Sequence, residues 1–328
     1  MSPVALMLVT AFSVLIVFVF SFAYFAYRFT FYNDPKKNPA NPYRHVKDDG
    51  SLESEISRRL IDEMIARPYE NVYVTSHDGL KLRARLYMQN EKAPFALAMH
   101  GYRSTPMLDF SGGGALALEL GLNLLMPDQR ACGESEGKTV TFGYKESLDA
   151  LDWVGYISDR WGEDAKIVLL GVSLGAGTVI MAAGRELSEN VKGVVADCTF
   201  SSAKKIIRKV MRDRKIPVFL YPLLRLGTII YGGFDPNKAE PCGFASEIKI
   251  PLMLVHGEDD RFVPPEMSRE VYEACSLAEI HTFPGARHGT SYLADTKRYK
   301  KITADFILRI FGEGYDKITE KKGESNEA

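Results

Sequence analysis

Ile167-Val168-Leu169-Leu170-Gly171-Val172-Ser173-Leu174-Gly175-Ala176-Gly177-Thr178 decides the fold. Four apolar, strand-favouring residues run into Gly-x-Ser-x-Gly and then into small residues. The stretch therefore predicts a strand that turns sharply into a helix. The backbone of a serine at such a turn is strained, and bulky side chains at either flank would crowd it, which explains the two glycines. The hydroxyl is thereby presented at the carboxyl end of a sheet. Ser173 is the candidate nucleophile, and the N–H of the next residue, Leu174, stands where one oxyanion-hole donor is needed.

Outward from this elbow, short β-rich runs at 95–99, 122–126 and 191–196 alternate with stretches of helical period such as Leu148, Leu151, Val154 and Ile157. That alternation predicts a parallel sheet with helices on both faces. Upstream, the apolar spacing of Leu52, Ile56, Leu60, Ile61 and Met64 predicts a packing helix with a purely structural role. Runs at 72–74 and 80–87 around His77-Asp78-Gly79 predict a hairpin. Downstream, strands are expected at 250–255 and 279–283 and a helix at 295–311. Between them and the 191–196 strand lies a helical cap insert, about 199–249. A charged tail, 313–328, is expected to be solvated.

A serine hydroxyl needs a base and an orienting acid, which in this kind of fold follow the nucleophile in the order Ser, Asp, His. Of the six histidines, only His288 sits in a late, glycine-flanked loop, Gly285-Ala286-Arg287-His288-Gly289. The acid is expected from His256-Gly257-Glu258-Asp259-Asp260-Arg261-Phe262-Val263-Pro264, with Asp259, Asp260 and the strand-ending Asp197 as candidates. His100-Gly101 ends a strand, and the loop after it is the source of the second oxyanion N–H.

Taken together, His100-Gly101-Tyr102, the run Asp128 to Gly137, GVSLGAG, HGEDDRFVP and GARHG resemble the α/β-hydrolase superfamily. More narrowly they resemble its membrane-anchored Bem46-like serine hydrolases, over roughly residues 70–312. The resemblance implies Asp260 as the acid, through the HGxxDxxVP pattern, and the Tyr102 N–H as the second oxyanion donor. It implies an α/β-hydrolase fold, mostly parallel. Ala131-Cys132 departs from the commoner Gly-His of the family, in a loop that should not touch the triad.

The first 27 residues carry no charged side chain, and the run from Val4 to Phe31 is broken first by Arg28. At about 1.5 Å per residue, about 20 residues cross a ~30 Å hydrocarbon core. Residues 1–32 are therefore read as a transmembrane anchor. The alternative, a cleaved signal, rests on Ser21-Phe22-Ala23 and lacks a basic leading region. Arg28, Lys36, Lys37, Arg44 and Lys47 all follow the span, so the positive-inside rule puts the catalytic part in the cytoplasm. The proline-rich 33–50 segment is expected to be a stiff tether leading to the hydrolase domain, 51–312.

Composition narrows the partners. With 41 Lys+Arg against 42 Asp+Glu and a net charge of −1, the 328-residue chain has no field for nucleic acid. Cys132, Cys198, Cys242 and Cys275 show no zinc or disulfide spacing. A dinucleotide fingerprint from Gly175 fails at Ile180, the elbow lacks the lysine of a P-loop, and the His256–Asp260 cluster lacks HExxH, so no cofactor or metal is expected. Glu146 and Asp149 are expected to cap or solvate a helix. The expected function is hydrolysis of an acyl ester or thioester through an acyl-enzyme. An amidase or peptidase, or a non-catalytic membrane scaffold of the same fold, is the alternative. The apolar stretch 217–231 is expected to be a lid over an acyl pocket.

Overall fold

The computed structural model describes residues 1–37, 40–44, 46 and 48–312, so the charged tail, His45 and Lys47 lie outside the described residues. The chain opens with helix α1 (Pro3–Thr30) and helix α2 (Leu52–Ile65), followed by strands β1 (Glu70–Thr75), β2 (Lys81–Tyr87) and β3 (Phe95–Met99). Helices α3 (Pro106–Asp109) and α4 (Gly113–Glu119) lead to β4 (Asn123–Pro127), and α5 (Glu146–Trp161) leads to β5 (Ile167–Val172). Helix α6 (Leu174–Ala183) and strand β6 (Val191–Asp197) precede the insert, which holds α7 (Ala203–Asp213), α8 (Tyr221–Gly232) and α9 (Pro241–Ala245). Strand β7 (Leu252–Gly257), α10 (Glu266–Ala274), β8 (Ala278–Phe283), α11 (Ser291–Ala294) and α12 (Thr296–Phe311) close the chain.

The eight strands form one sheet in the order β1-β2-β4-β3-β5-β6-β7-β8. The β1–β2 hairpin and the β2–β4 pair are antiparallel, and every pair from β4 to β8 is parallel. Period-2 alternation splits the strand residues between two cores: Phe95, Leu97 and Met99 join Trp153 and Val179 on one face, while Ala96 and Ala98 join Leu116, Phe306 and Ile307 on the other. After β3 the chain turns toward β4, and after β5 it turns the other way toward β6. The reversal opens a crevice between the carboxyl ends of β3 and β5, where ligands of such sheets bind.

A third core joins α1 to the insert. Tyr27 and Phe31 pack with Ile206, Met211, Tyr221, Leu224 and Phe234. On α1 and its cap, apart from the isolated Ala5, the residues withdrawn from solvent are Val19, Phe22, Ala23, Ala26, Tyr27, Arg28, Thr30 and Phe31, most of them at the 3–4 spacing of one helix face, whereas residues 6–18 are all exposed. Gly227 lies so close to Ala23 that a Cβ there would overlap the Ala23 carbonyl. The expected tether does not begin as one. Asn33 and Asp34 are buried, the Asn33 N–H donates to the Lys138 carbonyl at 3.0 Å, and the Asn33 amide donates to the Ala131 carbonyl at 2.6 Å. Asparagine satisfies loop carbonyls that no helix or sheet serves, so the first residues of the tether are pinned to the 131–138 loop.

Glu146 and Asp149 also depart from expectation: both are buried. Glu146 accepts from the Thr141 N–H at 2.7 Å and the Gly143 N–H at 2.9 Å, and from the Thr141 hydroxyl. Asp149 takes a two-pronged contact from Arg130, 2.7 Å to Nε and 2.5 Å to Nη2. A helix-face pattern cannot reveal that the facing loop carries the matching donors.

Candidate active site

β5 ends at the elbow, and Ser173 adopts φ 55° and ψ −114°, a region costly for a residue with a side chain. The flanking glycines are dictated by contact: a Cβ on Gly171 would strike the Gly175 carbonyl, and one on Gly175 would strike the Met99 carbonyl of β3. The Ser173 N–H donates to the Asp197 carbonyl at 2.8 Å, which fixes the turn against the end of β6.

The loops after β7 and β8 bring two further groups to Ser173. His288 Nε2 lies 2.9 Å from Ser173 Oγ, and His288 Nδ1 lies 2.6 Å from Asp260 Oδ2. Asp260 Oδ1 accepts from the Phe262 and Val263 N–H groups, each at 2.9 Å, and Oδ2 is 3.2 Å from Nε2 of the buried His256. Burial alone would raise this carboxyl, but the bonds to His256 and His288 outweigh it and hold the group well below the usual carboxylate range. An ionised Asp260 requires a proton on His288 Nδ1, leaving Nε2 to accept from the serine hydroxyl. The Phe262 ring meets the His288 ring edge-on at 5.0 Å.

The rival acids are elsewhere. Asp259 is exposed, and its N–H donates to the Ala286 carbonyl. Asp197 is buried, accepts from the Ser291 hydroxyl at 3.2 Å, and has its carboxyl pushed up to about 6 by that burial. Neither contacts His288 Nδ1, which Asp260 occupies.

Leu174 begins α6 and Tyr102 follows β3. Among the described residues neither backbone N–H has an internal acceptor. Two groups hold the Tyr102 loop. Gln129 donates its N–H to His100 Nε2 at 3.0 Å and its side-chain amide to the His100 carbonyl. Asp109, which nothing in the sequence pattern singles out, accepts from the Gly101 N–H at 2.5 Å and the Ser104 hydroxyl at 2.7 Å. The Tyr102 phenol, pushed up to about 12 by burial, donates to the Thr30 carbonyl at the end of α1 at 2.6 Å. Arg103 adds contacts to the Tyr32 carbonyl at 2.6 Å and the Phe29 carbonyl at 3.2 Å.

Ser173 and His288 open onto a cavity of about 800 Å³. Its walls include Ser54, Ser57 and Leu60 of α2 together with Leu108, Phe110 and Leu293. The expected lid is absent from them: no residue between 199 and 249 lines this cavity, because the apolar side of α8 is already occupied by α1. The helix at 52–65, expected to be structural only, borders the cavity instead, where Arg287 holds Glu53 with contacts of 2.6 and 2.8 Å.

A family model described as alpha/beta hydrolase fold matches residues 109–232, and one described as serine aminopeptidase, S33, matches residues 244–292. The chain belongs to the α/β-hydrolase superfamily. Within it, this hydrolase is Bem46-like. It is 25% identical over 245 residues to Protein bem46 of Schizosaccharomyces pombe, covering 73% of this chain and 76% of that one. It is 26% identical over 249 residues to the uncharacterized membrane protein YNL320W of Saccharomyces cerevisiae, covering 74% and 80%. Against YqkD of Bacillus subtilis the identity is 26% over 195 residues, 58% of this chain and 64% of its relative. Among solved structures, the Pyrococcus furiosus esterase PF2001 is similar at TM-score 0.63 and 25% identity, over 76% of this hydrolase and 94% of the esterase.

Proposed function

We propose that this hydrolase is a membrane-anchored serine hydrolase that cleaves carboxylic esters or thioesters through an acyl-enzyme. The observation that carries the reading is the continuous line of hydrogen bonds from Ser173 through His288 to Asp260 at the mouth of the cavity. Ser173 Oγ attacks the acyl carbonyl while its proton passes to His288 Nε2. The negative charge that forms on the carbonyl oxygen is met by the N–H groups of Leu174 and Tyr102. The imidazolium, steadied by Asp260, then gives its proton to the departing alkoxide or thiolate. In the second half a water, deprotonated by His288, attacks the acyl-enzyme and frees the acid and Ser173. The likeness to an esterase of known structure supports ester chemistry. Amide cleavage is a second reading, favoured by the serine aminopeptidase match over 244–292.

The exposed apolar surface of α1 supports a membrane span, and Arg28, Lys36, Lys37 and Arg44 at its C-terminal end support a cytoplasmic catalytic domain. Labelling by a fluorophosphonate probe tests the chemistry. Wild-type chain is expected to label and Ser173→Ala and His288→Ala not to, with ester turnover lost in both because the three residues act as one unit. A folded wild-type chain that resists the probe would leave a scaffold without turnover. Protease added outside intact cells is expected to leave the domain uncut.

A further inference from the structure

The docking of α1 leaves a surface on the insert that the hydrolytic reading does not use. Gly227 sits against Ala23, Tyr231 meets Tyr24 at 5.2 Å and Tyr27 at 6.2 Å, and Phe234, just past α8, meets Phe31 at 5.4 Å. The two helices therefore run side by side in the same direction. The start of α8 and the 3₁₀ turn before it, Val218–Leu220, must point toward the free, fully exposed half of α1. At that turn Phe219 is 79% exposed, more than any other large apolar side chain that follows α1 among the described residues, and Ile216 is 39% exposed.

Charge frames the same turn. From Lys204 to Ile216 the chain carries Lys204, Lys205, Arg208, Lys209, Arg212, Arg214 and Lys215 against Asp213 alone. Lys205 and Lys209 are engaged with Glu270 and Asp213, whereas Arg212 and Lys215 are exposed beside the apolar turn. The Arg214 guanidinium lies 5.4 Å from the Phe29 ring, so this basic end of α7 stands next to α1 itself.

Length brings the two together. Helix α1 has 28 residues, while about 20 suffice for a hydrocarbon core of about 30 Å. A span beginning at Pro3 ends near Phe22, beside the Ala23 that Gly227 touches midway along α8, so the start of α8 lies back toward the leaflet. The turn thus reaches the depth of the headgroups. An apolar tip ringed by cations is the pattern that dips about 5–10 Å into the boundary of headgroup and acyl chain.

We propose that Ile216–Leu220 is a second membrane contact, with Phe219 inserted into the leaflet that α1 leaves and with Arg212 and Lys215 on anionic headgroups. The proposal rests on the anchoring of α1 proposed above. Its test uses full-length chain in vesicles of equal parts phosphatidylcholine and phosphatidylserine, with brominated acyl chains as tryptophan quenchers. The signal is the emission added over wild type, whose Trp153 and Trp161 set the background. Phe219→Trp is expected to lose most of its added emission to bromines placed near the headgroup, and Val9→Trp to bromines placed deep. Adding Arg212→Glu and Lys215→Glu to Phe219→Trp should lower the quenching at least twofold with phosphatidylserine and leave it unchanged in phosphatidylcholine alone. Quenching of Val9→Trp without Phe219→Trp overturns the second contact and keeps the anchor. Quenching of neither overturns both, and insensitivity to the charge reversals overturns the role of the cations.

Discussion

Asp260 earns its place by the company it keeps: two histidines and two backbone N–H groups converge on one buried carboxylate. Asp260→Asn is expected to lower kcat by roughly 10⁴-fold, because an amide favours the wrong imidazole tautomer, whereas Asp259→Asn should be close to wild type. Asp109→Ala removes the acceptor of the Gly101 N–H and lets the Tyr102 loop relax, so kcat should fall roughly 10²-fold, as when an oxyanion donor is lost, with little change in KM. Asp197 offers a pH signature. Its folded value near 6 lies above the ordinary 3.8, so its stabilising contribution is complete below 3.8 and is lost as pH rises through about 6. Thermal melts of Asp197→Asn should lack that part of the wild-type decline. Ser173 and His288 were legible because a strained turn and a glycine-flanked loop leave marks in the sequence. Asp109 was not, since its role is a contact across eight residues of loop with no periodicity to betray it.

At the scale of elements, strands and helices followed their periodicities closely: the residues predicted at 95–99 are β3, and the helix expected at 295–311 is α12. The insert is where pattern reading misled. Fifteen residues with a single charge ask for an apolar partner, but sequence does not say which, and for the buried Tyr221, Leu224 and Gly227 it is α1 rather than an acyl chain. Leu224→Trp should therefore cost about 1–3 kcal/mol of stability, with turnover of long and short acyl esters reduced alike. Gly227→Leu forces the two helices apart at Ala23, and a similar loss is expected in melts of the detergent-solubilised chain.

For the whole molecule, the reversal of strand order at β3 gathers residues from positions 102 to 288 at one crevice, a convergence that sequence order alone disguises. The same topology puts the loop after β3 against the end of α1, where the Thr30, Phe29 and Tyr32 carbonyls are held by Tyr102 and Arg103. On the anchoring and the mechanism proposed above, span and domain share one joint, and that joint is built from the loop proposed to supply an oxyanion donor. A bilayer thinner or thicker than the span is normally accommodated by tilt, but tilting this helix means tilting the domain or straining the joint. Bilayer thickness thereby becomes an input to the chemistry. Across vesicles of phosphatidylcholines graded in chain length, kcat for a water-soluble ester should pass through a maximum at the matched thickness while KM stays level, and Arg103→Ala should flatten the curve.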